Sequence, residues 1–289
     1  MKRLVFGMYL ILVSLPLSAA ESQSAKDWKP VEEILGKKGM AQGDGLQVVF
    51  PRTDLNVVVE GVPLEAEGDL VSWFLFKPLE KGTQLTGKVF LLDTEVPKAM
   101  AQALKNGLEI AALYGPFLNE SPAIQCLVVK GKGARSSLAW AAKLILSSTD
   151  LPDPPAAPPQ SPSPASGEKP SDWAKVQSIL GLGKADGRVL QFEFQAGESL
   201  SLEMPSSVTF QKSGGRTSAL GEFVLKSGDE NALVEVLLRN QITVTTLHRQ
   251  GLGGEKGVSI LDFWVTGPEE KIAEGLKEAL DEAGLSENQ

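Results

Sequence analysis

The sequence states one pattern twice, and any fold proposed for it has to be built twice. On one side of a proline-rich stretch stands "KDWKPVEEILGKKG" from Lys26, and on the other "SDWAKVQSILGLGK" from Ser171. "LTGKVFLL" from Leu85 returns as "ALGEFVLK" from Ala219, and "ALKNGLEIAALY" from Ala103 as "LLRNQITVTTLH" from Leu237. The order of the segments is kept. Because each pair carries the same apolar spacing, each pair buries the same side chains, and two copies of one fold are implied.

The local pattern within each copy is that of mixed structure. Trp28, Val31, Ile34 and Leu35 share one helical face, as do Trp173, Val176, Ile179 and Leu180, with Asp27 and Ser171 or Asp172 placed as N-caps. In the first copy, alternation predicts strands near 46–50, 54–60, 71–77 and 86–92. A helix from Val96 to Asn106 follows, ended by Asn106-Gly107, which suits a left-handed C-terminal turn. Strands near 108–114 and 123–130 lead into a last helix with Leu138, Ala141, Ala142 and Ile145 on one face. The second copy closes likewise, with Pro268 at the first helical position and Ile272, Leu276, Ala279 and Leu280 as its stripe. Strand runs with few helices indicate α+β: two homologous domains, each a mostly antiparallel sheet with helices packed on one face.

Composition sets the frame around the copies. Lys2 and Arg3, the apolar run "LVFGMYLILVSLPL" and the small residues Ser18, Ala19 and Ala20 have the form of a cleaved export signal over 1–20. The run is too short, and too soon interrupted by Pro16, for a membrane span. The first domain is expected over 27–148 and the second, more divergent copy over 172–284. The linker between them, 149–171, carries eight of the 18 prolines, a composition for an extended spacer. Loss of Lys2 and Arg3 leaves 26 basic against 36 acidic residues, a net charge of -10, which argues against a nucleic-acid partner, whose affinity comes mainly from clustered Lys and Arg. Cys126 is the one cysteine, so no internal disulfide forms.

"VVFPRTDLNVVVEGVPL", "VSWFLFKPL", "LTGKVFLLDTEV", "NGLEIAALYGPFLNESP" and "VVKGKG", in that order, resemble the LppY/LpqO-type domain of bacterial exported proteins, a family of no established function. The resemblance covers about Asp27 to Leu146. The second copy keeps the framework but has "FQAGESL" where the first has "FPRTDL". The resemblance implies a His-Asn-His step after the strand reading "IAAL" and a further histidine in the strand reading "CLVV", together a plausible metal site. Here those positions hold Tyr114-Gly115-Pro116 and Val128, and in the second copy His248-Arg249-Gln250 and Trp264. The resemblance therefore implies a site that has lost its imidazoles, with no metal and no cofactor. Tyr114 either packs at a strand end or lines a surviving pocket.

Other candidate chemistry is sparse. His248 is the one histidine, and Cys126 has none in its own domain to activate it, so neither a triad nor an activated thiol is assembled. "GLGKADG" lacks the spacing of a dinucleotide fingerprint and is a turn, and "KGKGARSS" reads first as an ordinary connection and second as a place where backbone N–H groups with Lys132 or Arg135 hold an anion. The polar residues kept from the family pattern are Arg52, Asp54, Glu95 and Glu120, which with Tyr114 form the candidate ligand site. Two function classes follow. One is a periplasmic or secreted, non-enzymatic binding or scaffold protein for an envelope or extracellular ligand; the other is an envelope enzyme acting through these carboxylates on carbohydrate or peptide material.

Overall fold

The computed structural model describes residues 27–66, 68–151, 172–196, 205–213, 215–226, 228, 230–250 and 257–287. The expected signal segment, nearly all of the linker and the "GESL" of the second copy lie outside these residues.

The first half opens on helix α1 (Lys29–Leu35). Asp27 starts it by accepting a hydrogen bond from the Lys29 N–H at 3.1 Å, which gives one first-turn donor a partner. Strands β1 (Met40–Gln42), β2 (Gly45–Pro51), β3 (Val58–Val59), β4 (Val62–Pro63), β5 (Val71–Pro78) and β6 (Thr83–Leu92) follow. Next come α2 (Val96–Lys105), β7 (Glu109–Tyr114), β8 (Glu120–Ser121), β9 (Ile124–Gly133) and α3 (Arg135–Leu146). The strand expected near 54–60 shrinks to β3, because a turn closed by the Leu55 N–H on the Arg52 carbonyl at 3.1 Å takes up its start. Glu60 and Gly61, with φ of 50° and 82°, turn β3 into β4 as two-residue hairpins require.

The second half repeats the order: α4 (Ala174–Leu180), β10 (Lys184–Asp186), β11 (Val189–Ala196), β12 (Ser206–Ser213), β13 (Arg216–Lys226), α5 (Glu230–Arg239), β14 (Thr243–Gln250), β15 (Val258–Gly267), α6 (Glu269–Glu282) and β16 (Leu285–Glu287). The stretch read as a turn in "GLGKADG" contains β10, which pairs with β11. Pro268 caps α6 from outside rather than opening it.

Each half is an antiparallel sheet, β1-β2-β5-β6-β9-β7 in the first and β10-β11-β12-β13-β15-β14 in the second, where β16 also pairs with β11. The predicted α+β class holds, with helices over one face of each sheet. In the first half that face joins Trp28, Val31 and Leu35 to Phe74, Phe76, Leu85, Val89, Leu127 and the α3 stripe. Trp173, Phe210, Phe223, Phe263 and Leu276 belong to the matching core of the second half. The opening tryptophan is held down alike in both. The Arg135 guanidinium stands 4.4 Å from the Trp28 ring and donates to the Asp27 carbonyl. The Lys212 ammonium stands 4.4 Å from the Trp173 ring and donates to the Asp172 carbonyl at 2.8 Å. One cation comes from a helix and the other from a strand, so the contact is matched while the sequence position is not.

The other face of each sheet is covered by the other half. A third apolar cluster takes Val57, Val59, Val62, Leu70, Phe90, Phe117 and Ile124 from the first half, and Leu220 and Trp264 from the second. Phe117 meets Trp264 edge-on at 6.3 Å, an arrangement worth about 0.5–1.5 kcal/mol beyond its buried area. Polar bonds cross the same seam: Gln211 Nε2 donates to the Pro63 carbonyl at 2.9 Å and Thr246 Oγ1 to the Gly115 carbonyl at 3.0 Å. The two copies thus have a core each and share a third.

Candidate functional site

The five residues singled out from the sequence fall in three places. Arg52 is fully buried at the end of β2 and uses all five of its N–H donors. Its Nε and Nη2 bond Asp54 at 2.9 and 2.8 Å, and Nη1 and Nη2 bond Glu95 at 2.9 and 2.9 Å. The remaining Nη1 donor goes to the Phe90 carbonyl. Glu95 also accepts from the Leu92 N–H at 2.8 Å, so the clamp ties the turn after β2 to the β6–α2 connection. Burial alone would lower the guanidinium pKa, and the bonds to the two carboxylates more than offset it. The clamp is complete without Glu120, which sits on β8 paired with Val59 of β3.

Tyr114 lies elsewhere, on the seam between the sheets. Its ring is 4.7 Å from that of His248, tilted by 39°. The two occupy the same position in the two copies: Tyr114 pairs with Cys126 after a bulge at Ile110/Ala112, and His248 pairs with Ile260 after a bulge at Val244/Thr246. Lys88 and Glu222, also equivalent and 134 residues apart, meet at 2.5 Å with each side chain only 13% exposed. Equivalent residues that touch each other define an approximate two-fold between the halves, the pattern of an isologous interface. Sequence reading missed Lys88 and Glu222. The signal was present in the aligned "TGKVF" and "LGEFV", where one mid-strand position carries opposite charges.

The register also corrects one assignment. Val128 is the partner of Lys88, and Asp262 is the partner of Glu222, so Asp262 rather than Trp264 is the second-copy counterpart of Val128. A two-residue slip keeps a strand's facing unchanged, so alternation alone does not expose it.

The seam is largely shielded from solvent and its ionisable groups respond to that. Burial opposes the Lys88 charge, yet Glu222 holds its pKa well above the usual lysine value. Burial pushes the Cys126 thiol up to about 12 and raises the Tyr114 phenol as well, so both stay protonated. Burial lowers His248, keeping its imidazole neutral. Asp262 is pushed up to about 7, chiefly by burial, with Glu222 adding to the rise and Lys88 opposing it. No activated nucleophile results. Pro116 and Val128 offer no side-chain donor, and among the described residues no group of three or more His, Cys, Asp or Glu is placed to hold a metal ion. A separate open cleft of about 600 Å³ in the second half, lined by Lys175, Arg216, Thr217, Glu269 and Glu270 among others, contains none of the five predicted residues.

The sequence matches the family described as Domain of Unknown Function (DUF1259) over residues 29–148 and again over 176–282. The chain belongs to this family. Its two DUF1259 matches coincide with the two sheets and their helices, so the repeat read from the text is a repeat of the domain. Among curated proteins, none matches the chain. Solved structures with some likeness include the trimeric bacterial microcompartment shell protein PduB, at 12% identity and TM-score 0.24 over 85% of this chain and 89% of that one. An unknown protein from Galdieria sulphuraria has 10% identity and TM-score 0.19 over 71% and 98%. EtuB from Clostridium kluyveri has 11% identity and TM-score 0.21 over 86% and 93%. At these TM-scores nothing carries over to the DUF1259 chain. Among the described residues, no helix is long and apolar enough to cross a membrane.

Proposed function

We propose that the chain is a periplasmic or secreted, non-enzymatic binding or scaffold protein, built of two divergent LppY/LpqO-type copies whose histidine site has been given over to joining the halves. The observation that carries this reading is the direct contact of Tyr114 with His248, at positions where the resemblance implies imidazoles. A side chain packed against its own counterpart is committed to the interface and is not free to ligate. Two of the three candidate carboxylates of the first half, Asp54 and Glu95, are likewise bonded to Arg52, which supports a structural role for them. The ligand belongs to the envelope or the extracellular space, and the acidic mature chain disfavours nucleic acid as a partner.

Elemental analysis and intact mass of the protein recovered from the periplasm or medium test the reading together. The expected result is a chain beginning at Glu21 with no stoichiometric transition metal. A chain that retains Met1, or one metal per chain that survives mild chelation, contradicts it.

A further inference from the structure

Two carboxylates of the second half face one ammonium of the first. Glu222 on β13 and Asp262 on β15 are register partners, and such cross-strand neighbours have Cβ atoms about 4.5–5.5 Å apart. Lys88 on β6 reaches Glu222 at 2.5 Å, while its own register partner, Val128, brings no charge. Asp262 is 7% exposed and its Oδ2 has no hydrogen-bond partner. Tyr114 on β7 and Cys126 on β9 stand beside the trio as neutral groups, and His248 on β14 borders it, with Lys130 of β9 acting on the imidazole from the first half. Fully ionised, the trio is one negative charge in excess inside a largely buried seam; with Asp262 protonated it is balanced.

We propose that a single proton on Asp262, beside the Glu222–Lys88 ion pair, latches the two halves, so that the seam is tight in mildly acid solution and slackens as the pH rises to neutrality. The sign follows from Asp262. Its closed-state pKa of about 7 lies above the ordinary aspartate value, so its contribution is full below that ordinary value and declines as pH rises to about 7. His248 works in the opposite sense: its lowered pKa contributes stability above about pH 6.5 that is lost on acidification. Asp262 therefore owns the slackening toward neutrality, and His248 sets an acid limit. The inference stands independently of the binding reading.

Cys126, the one cysteine, is fully buried on the inner face and reports opening of the seam. Its reaction with dithiodipyridine is followed in the full mature chain and in Asp262→Asn, at about pH 5 and about pH 7.5. The ratio of wild-type to variant rate cancels the intrinsic pH dependence of the thiol. It is expected to rise at least about tenfold between the two conditions, since one pKa unit of differential protonation is tenfold in an equilibrium. A ratio constant within about twofold overturns the latch. Asp262→Leu, uncharged and without amide bonds of its own, replaces the first variant if that one does not fold. Infrared spectroscopy gives a second readout: the carbonyl band of a buried protonated carboxyl at about pH 6 is expected to be stronger in the wild type than in the variant, where only the buried Asp69, also raised to about 7, remains, and equal bands overturn the proposal as well.

Discussion

Arg52 joins three segments of the first half through one guanidinium, and its planar fork is what the geometry demands. Two carboxylates are each gripped by two parallel N–H groups, which a lysine ammonium cannot do. Arg52→Met leaves Asp54 and Glu95 without their cation in a site that is largely shielded from water, and should lower the stability by about 3–5 kcal/mol, read as a shifted urea midpoint at pH 7. Arg52→Lys should fall between the two. A loss for Arg52→Met below about 1 kcal/mol would show the clamp to be dispensable. The residue types were legible in "FPRTDL" and "LLDTEV". That all five donors would be consumed was not, because Glu95 reaches Arg52 only once β6 lies beside β5 and β5 beside β2. The second half holds the corresponding corner differently: Glu230 accepts from the Ser259 hydroxyl and from Arg249 Nε, which with other bonds bring its pKa down to about 2.

At the scale of elements, the apolar pattern located the main strands of the first copy and five of the six main helices, α5 being the exception, since one face of the central strands meets a core. It could not say what lay on the opposite face. Lys88, Glu222 and Asp262 are charged residues within otherwise apolar strands, and only the packing of sheet on sheet makes them buried. The glycines of the two central strands were equally silent. Gly87 lies opposite Phe74 and Gly221 opposite Phe263, each with an aromatic ring laid over the missing side chain. A Cβ at Gly221 would come within 2.1 Å of the Ser207 carbonyl oxygen and 2.9 Å of the Phe263 ring; at Gly87 it would come within 2.5 Å of Phe74. Gly221→Ala should therefore cost about 1–3 kcal/mol and lower the Tm, through displaced backbone rather than lost contacts. An unchanged Tm would mean that β12 yields freely at Ser207.

The whole molecule is two copies of one domain folded onto each other, so that a position in one copy meets its own counterpart in the other. The repeat was plain in the sequence; the contact between the copies was hidden, because a periodic pattern records which residues avoid water and not which surface excludes it. This self-facing arrangement is the central claim, and Lys88 with Glu222 lies at its centre. The most direct test is a charge swap read by urea denaturation at pH 7. Lys88→Glu and Glu222→Lys alone each place like charges together in the seam and should lower stability by about 3–5 kcal/mol. The double variant restores an opposite pair at the same place and should recover more than half of the summed loss. A double variant as unstable as the two single losses added together would show that the two side chains do not meet.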